Sequence, residues 1–296
     1  MPALHTTTKP LRRHAWLAGL GLTGLLGLAG VSVAGEPWRL ATYNLRLNLA
    51  SDGADAWPQR RAQVLSLVRY HDWDVFGTQE GLPDQIADLE SLEGFTRVGA
   101  GRDDGAALGE HAAIFVRKAR FEVLRSGTFW LSETPDRPSK GWDGRCCHRI
   151  ATWVELRDRR APGDGSFYVF NTHFDHEGVV ARRESARLLL ARRASLAGRR
   201  PSLLIGDFNS PPGSEPVQIL KSELLDARET SRTPPYGPEG TFNGFRIDAP
   251  LPARERIDHV FHSSQFEVLK WGALTDSHQG RYPSDHLPVE VLLRLR

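Results

Sequence analysis

Six short polar stretches follow or interrupt the apolar runs of this chain, and what they offer is Asn, Asp, Glu and His. "ATYN" ends at Asn44 and "VFGTQE" at Glu80. "VFNTHFDH" brings Asn171, His173, Asp175 and His176, and "LIGDFN" brings Asp207 and Asn209. "RIDHVF" places Asp258 beside Ile257, Val260 and Phe261, and "YPSDHLPV" carries Asp285 and His286. Taken singly, each has a plain structural explanation as a turn residue, a cap or a satisfied buried polar group. Taken together they form a reactive set. Carboxylates with an amide oxygen suit Mg2+ or Mn2+, which keeps several waters and binds one or two carboxylates plus a substrate phosphate. Histidines among carboxylates stabilise phosphate charge or transfer protons near neutral pH. No activated Ser or Cys accompanies them, so water is the expected nucleophile and the chemistry is metal-assisted hydrolysis of a phosphate ester. Asp258 is the most telling single case, because a carboxylate amid apolar neighbours is costly unless a cation or a donor meets it.

Other chemistries lack their motifs. The chain has no G-x-x-x-x-G-K-[ST], no G-x-S-x-G and no H-E-x-x-H. Gly19-x-Gly21-x-x-Gly24 matches a dinucleotide fingerprint only formally, with no strand before it. Removing Lys9, Arg12 and Arg13 from the 38 basic residues leaves 35 against 36 acidic, a formal charge of −1 beyond residue 34. A protein that holds nucleic acid through its phosphates is usually strongly basic, so nucleic acid is not the favoured partner. The only cysteines are the neighbours Cys146 and Cys147. Adjacent Cα atoms lie about 3.8 Å apart, below the usual disulfide range of about 4.4–6.8 Å, so a bridge between them is strained and the fold must stand on its core. Cys146-Cys147-His148 fits no common zinc spacing.

The elements that position these residues can be read from periodicity. Runs rich in Val, Phe, Tyr, Trp and Thr recur at 39–47, 73–80, 111–118, 121–132, 150–158, 166–175, 202–209, 256–263 and 287–295. Helical spacing is seen at 57–71, with Pro58 near its start, at 82–92, and at 178–198 with an Arg-rich outer face. The order, β-α-β-β-β, then β-β-α-β-α, then β-β, predicts a mixed α/β domain with two sheets. No linker or low-complexity tract divides residues 35–296, which reads as a single domain. Ahead of it, basic residues, an uncharged run from Ala15 to Ala34 and the small-x-small end Ser32-Val33-Ala34 predict a signal peptide over 1–34. The alternative is an uncleaved anchor, since the run is just long enough to span a bilayer. The expected location is periplasmic or extracellular, without a stable membrane span after cleavage, as a monomer.

Asn44, "TQE" at 78–80, "NTHFDH" at 171–176, "GDFN" at 206–209, "IDHVF" at 257–261 and "SDHLPV" at 284–289 together resemble the endonuclease/exonuclease/phosphatase superfamily, in its order and across nearly the whole chain. The resemblance implies a four-layer α/β sandwich, two mostly antiparallel mixed sheets face to face with helices outside. It implies metal binding by Glu80, with Asn44 beside it and Asp285 nearby. His173 would donate to the scissile phosphate. Asp207 would orient or deprotonate the attacking water, Asn209 would help hold water and phosphate, and Asp258 would fix His286 against transition-state charge. Arg149, His176 and Arg182 are candidate substrate contacts, although Arg182 shares its helix with many solvated arginines. Trp142 and Phe245 lie in loop-like stretches and are candidates to stack on a sugar or base, and Trp130 is expected in the core. The function expected is an exported Mg2+ or Mn2+ phosphoesterase acting on a sugar phosphate, nucleotide or lipid headgroup. A secreted nuclease and an inactive binding module on the same fold are the alternatives. The intact set of site residues speaks against the second.

Overall fold

In the computed structural model, residues 35–161 and 163–296 are described, and the leader expected at 1–34 lies outside them. The strands sort their side chains with a period of two, as a pleated strand buried on both faces requires. Along β1 (Trp38–Asn44), Leu40 enters one core cluster, and Ala41 and Tyr43 enter another. β2 (Val75–Gln79) divides Val75 from Phe76 between the same two clusters. β8 (Ser202–Asp207) divides Leu203 and Ile205 from Leu204, and β10 (Asp258–His262) divides Val260 from Phe261. One cluster is thus shared by both sheets. The other two lie under helices: α1 (Trp57–His71) and α2 (Pro83–Glu90) on one side, α3 (Val179–Ala197) and α4 (Glu215–Lys221) on the other. Three cores between four layers give the expected sandwich.

The first sheet runs β11 (Phe266–Ala273), β12 (Val289–Leu295), β1, β2, β4 (Ile114–Arg117), β3 (Phe95–Val98). The second runs β5 (Phe121–Trp130), β6 (Ile150–Asp158), β7 (Ser166–His173), β8, β10, β9 (Leu225–Asp226). Most pairings are antiparallel, but each sheet holds one parallel pair, β1 with β2 and β7 with β8. Parallel neighbours need a crossover, and α1 and α3 supply it. Each β-α-β unit therefore ends both of its strands at the same edge, with Asn44 opposite Gln79 and His173 opposite Asp207. Carboxyl ends of parallel strands are where such folds place ligands.

The two sheets are tied by a polar clasp. Asn171 donates to the carbonyls of Thr78 and Ala113, both at 2.9 Å, and accepts from Gln79 Nε2 at 2.6 Å. A Cβ on Gly77 would stand 2.6 Å from the Asn171 side chain, so glycine is needed for the clasp to close. Asn171, one of the polar strand residues, is therefore structural.

Several expectations are corrected. β3, β9 and β11 fall outside the expected runs: β9 is two residues long, β3 is a half-buried edge strand, and β11 is an edge strand with an irregular register between Val268 and Lys270. Asp258 opens β10 and does not lie inside it. Cys146 and Cys147 are joined to each other. The bridge closes no loop, so the core still carries the fold. Among the described residues no helix is long and apolar enough to cross a membrane.

Candidate active site

The strand ends of the two β-α-β units meet over a cleft of about 630 Å³ lined by Glu80, His173, Asp207, Asn209, Asp285 and His286 among others. Three of the seven described side-chain-bearing residues with positive φ line it. Glu80, Asn209 and Arg46 have φ of +62°, +45° and +54°, a region side-chain-bearing residues adopt rarely and mostly at functional sites, and all three line the cleft. Two positions apart after an apolar run, Asp207 and Asn209 would share one side of the chain if it stayed extended. Instead the chain turns at Asn209, whose N–H donates to Asp207 Oδ1 at 2.8 Å and whose side-chain amide donates to Phe174 O at 3.0 Å. Both still face the cleft. Gly206 precedes them because a Cβ there would lie 2.1 Å from the Thr172 carbonyl oxygen.

Asp258 and His286 form the expected pair. His286 Nδ1 donates to Asp258 Oδ2 at 2.8 Å, and both residues are buried. The other ring nitrogen stands 3.8 Å from Asp207 Oδ2. Burial opposes charge on this imidazole, but Asp258, Asp207 and Asp285 outweigh it and hold its pKa well above 6.5. His173 goes the other way. Burial, then the guanidinium groups of Arg149 and Arg102, keep it well below 6.5, with its Nε2 3.5 Å from Asp207 Oδ2. Two histidines on one carboxylate, one held as a cation and one as a neutral donor, divide acid and donor roles by environment. Burial, with the Asp258 charge adding to it, raises the Asp207 carboxyl to about 7.

Across the cleft, Asn44 Nδ2 donates to Glu80 Oε1 and to Asp207 Oδ2, both at 3.0 Å, while its oxygen accepts from the Arg46 N–H. Asn44 was expected to touch a metal. It thereby ties two carboxylates together across the sheets, and its oxygen, which accepts one hydrogen bond, keeps a second lone pair beside Glu80. Glu80 takes one further donor, the Leu47 N–H at 3.0 Å. Each of its oxygens therefore keeps acceptor capacity on the cleft side. Asp285 is buried nearby, its pKa raised by burial and by the Glu80 charge against the pull of His286. Two hard carboxylates that repel one another in a wet cleft are a fitting pair for Mg2+ or Mn2+, which would take Glu80 and Asp285, waters and a phosphate oxygen.

The remaining expectations divide. Arg149 and His176 line the cleft, joined by a 2.7 Å hydrogen bond from Arg149 to His176 Nδ1. Arg182 is not among the lining residues, because its guanidinium turns back to the Asp175 carbonyl at 3.0 Å. His148 pairs with Asp103 at 3.2 Å, and Phe245 packs against the buried Arg60 guanidinium at 5.6 Å. Trp142 is half-buried off the cleft. Trp130 lies in the core as expected, its indole N–H on the Arg102 carbonyl. Sequence reading missed Arg46, Arg102 and Glu110, which also line the cleft. Glu110 stands just before the apolar run of β4, so attention to strand beginnings would have found it.

The model of the Endonuclease/Exonuclease/phosphatase family matches residues 41–286. An endonuclease/exonuclease/phosphatase family protein from Bacteroides thetaiotaomicron is 41% identical, with a TM-score of 0.83, over 88% of this chain and 99% of the other. A mannosyl-6-phosphatase from Bacteroides thetaiotaomicron VPI-5482 is also 41% identical, with a TM-score of 0.81, over 86% of this chain and 99% of the other. Uncharacterized protein L388 of Acanthamoeba polyphaga mimivirus is 25% identical over 256 residues, which is 80% of this chain and 91% of the relative. With the fold, the cleft and these likenesses in agreement, the chain belongs to the endonuclease/exonuclease/phosphatase family, whose members hydrolyse phosphate esters.

Proposed function

We propose that the protein is an exported, Mg2+- or Mn2+-dependent phosphoesterase that hydrolyses a phosphate monoester of a small hydroxylic compound, a sugar phosphate foremost. The observation that carries the reading is the Asp258–His286 pair aimed at Asp207, with Glu80 and Asp285 on the facing wall. The bound cation supplies charge neutralisation at a phosphate oxygen. Asp207 accepts the proton of the attacking water, and Asn44 and the Asn209 N–H hold that carboxylate in place. His286, kept cationic by Asp258, donates to the charge that grows in the transition state. Neutral His173 donates a hydrogen bond to the phosphoryl group without adding charge. Arg149 reaches a non-bridging oxygen, since none of its nitrogens lies within hydrogen-bond distance of a carboxylate among the described residues.

Three features support the finer points. The cleft volume is in the range of small-molecule sites. A relative 41% identical over nearly its full length is a mannosyl-6-phosphatase. The leader expected from the sequence at 1–34 and the Cys146–Cys147 bridge favour an oxidising compartment outside the cytosol. The test is a panel of hexose 6-phosphates, nucleotides, and single-stranded and duplex DNA with Mg2+, Mn2+ or a chelator. Metal-dependent release of phosphate from a hexose phosphate supports the reading. Cleavage of DNA alone, or hydrolysis that survives the chelator, overturns it.

A further inference from the structure

The chain's only two cysteines stand side by side in the wall of the cleft, in the loop between β5 and β6. Their bridge spans one peptide bond. A disulfide stabilises chiefly by restricting the loop it closes, and this one closes none, so chain entropy gives it no stabilising role. Nor is it needed to place the loop. Lys140 Nζ donates to the Arg145 carbonyl at 2.7 Å and the Gly144 N–H to the Gly141 carbonyl at 2.8 Å. Asp143 accepts the Val180 and Ala181 N–H groups at 3.0 and 2.6 Å, fastening the loop to the start of α3. The pair therefore acts where it stands, at the cleft. Cys146 is exposed there, within reach of a solute reductant.

His176 completes the arrangement. One ligand atom from each of Cys146, Cys147 and His176 lies within 4.8 Å of the others. A tetrahedral zinc ion with two sulfur ligands and one imidazole holds them about 3.5–3.8 Å apart, so the sulfurs must separate once their bond is reduced, while the imidazole already stands within reach. We propose that reduction of the Cys146–Cys147 bridge opens, with His176, a site for a thiophilic cation such as Zn2+ at the rim of the catalytic cleft, and that its occupation impedes the substrate. The reductant is a dithiol. It passes two electrons and two protons to the bridge, breaking the S–S bond to give two thiols, and becomes a cyclic disulfide itself. Each thiol then loses its proton to solvent as its sulfur binds the cation. Water fills the fourth position, as in other three-ligand sites.

The link to the cleft follows from the histidine ring. His176 Nδ1 now accepts from Arg149. A cation bound at Nδ1 consumes that lone pair, and a cation bound at Nε2 forces the proton onto Nδ1. Either way the ring stops accepting from Arg149. Cation capture and the Arg149–His176 contact exclude one another, so the cleft guanidinium loses its anchor when the site fills. Soft sulfur ligands also separate this site from the oxygen site at Glu80, which suits Mg2+ or Mn2+.

Cobalt(II) serves as the probe, because thiolate ligation gives it a near-ultraviolet charge-transfer band that oxygen ligation does not. The full chain is reduced with dithiothreitol, freed of it without air, and titrated. One equivalent of Co2+ should raise the band in reduced protein, and Zn2+ should displace it. Oxidised protein and the Cys146→Ser/Cys147→Ser variant should show no band. His176→Gln should weaken binding by about tenfold or more, the loss that even an outer partner of a ligand commands. No band in reduced protein, or an equal band in the double serine variant, overturns the site. The impeding effect rests on the phosphoesterase reading and is measured separately: Zn2+ should raise KM in reduced protein and not in oxidised protein. An unchanged KM with the band present overturns the coupling alone. Absence of any hydrolysis in oxidised, Mg2+-loaded protein counts against the proposed function and leaves the site standing.

Discussion

Removing either member of the Asp258–His286 pair should cost most of the turnover, and removing both should cost scarcely more. His286 donates to Asp258 at 2.8 Å between side chains that are 5% and 1% exposed. Loss of a buried donor to transition-state charge commonly costs about 10² to 10³ in rate, or about 2.7–4 kcal/mol. Asp258→Asn keeps the shape but removes the charge that holds the ring protonated. His286→Ala removes the ring. If the two act as independent groups, the double variant falls by about 10⁴ to 10⁶; if they act as a unit, it stays near the worse single loss of about 10² to 10³. The pH profile adds a second reading. A cationic donor is lost as pH rises through its pKa, and in the native protein that pKa lies well above 6.5. In Asp258→Asn burial opposes the charge with less to offset it, so the alkaline limb should move down. The assay is kcat against pH for both single variants and the double, with thermal melting to confirm folding. Additive losses, or an alkaline limb that stays in place in Asp258→Asn, would refute the coupled mechanism.

Other outcomes follow from the same geometry. Asp207 must be ionised to accept a proton, and its carboxyl is raised to about 7. Activity should therefore fall as pH drops below neutral, with the limb at 7 or lower because a bound cation favours the carboxylate; a limb about a unit higher contradicts the assignment. Glu80→Gln should need more Mg2+ for half-maximal rate and turn over more slowly, and an unchanged metal titration would show that another group holds the cation. Buried Arg60 donates to the carbonyls of Leu45, Arg46, Asp55 and Pro283. Two of those bonds, to Leu45 and Pro283, are buried, so Arg60→Met should lower unfolding stability by about 2–6 kcal/mol in denaturant melts. An unmoved midpoint would mean the carbonyls find other donors. Exported protein should begin near residue 35 by intact mass, whereas chains retaining Met1 would favour an anchor.

The site was legible where chemistry is written along one strand. Asn44, Glu80, His173 and Asp207 each close an apolar run, and chain order alone marks such positions. The Asp258–His286 contact joins residues 28 apart. The apolar neighbours of Asp258 say only that its carboxylate needs a partner, and it was the family resemblance that named His286. Helix α1 was readable to its boundaries, since Pro58 and the spacing of Val64, Leu65 and Val68 agree. Arg182 stayed open between substrate contact and a solvated helix arginine because helical spacing says which face a side chain leaves from but not that a long one folds back on Asp175. Arg46, Arg102 and Glu110 enter from loops and a strand beginning, where no periodicity announces direction. The cysteine bridge was missed because a Cα separation of 3.8 Å falls outside ordinary disulfide geometry. β3 and β9 are too short to carry an alternating pattern, and they form because neighbouring strands template them.

Each sheet brings half of the site through its own β-α-β crossover: Asn44 and Glu80 from one, His173 and Asp207 from the other. The Asn44–Asp207 hydrogen bond spans 163 positions and closes only when the sheets are in register, which the Asn171 clasp fixes. Turnover is therefore a gauge of how the two layers are docked, whereas Glu80 and the backbone N–H that holds it belong to one layer. A chain whose sheets have slipped by a fraction of a residue should retain part of its grip on the cation while losing hydrolysis. Substitutions at the clasp, whose residues do not line the cleft, should separate those two quantities in a way that substitutions in the cleft do not.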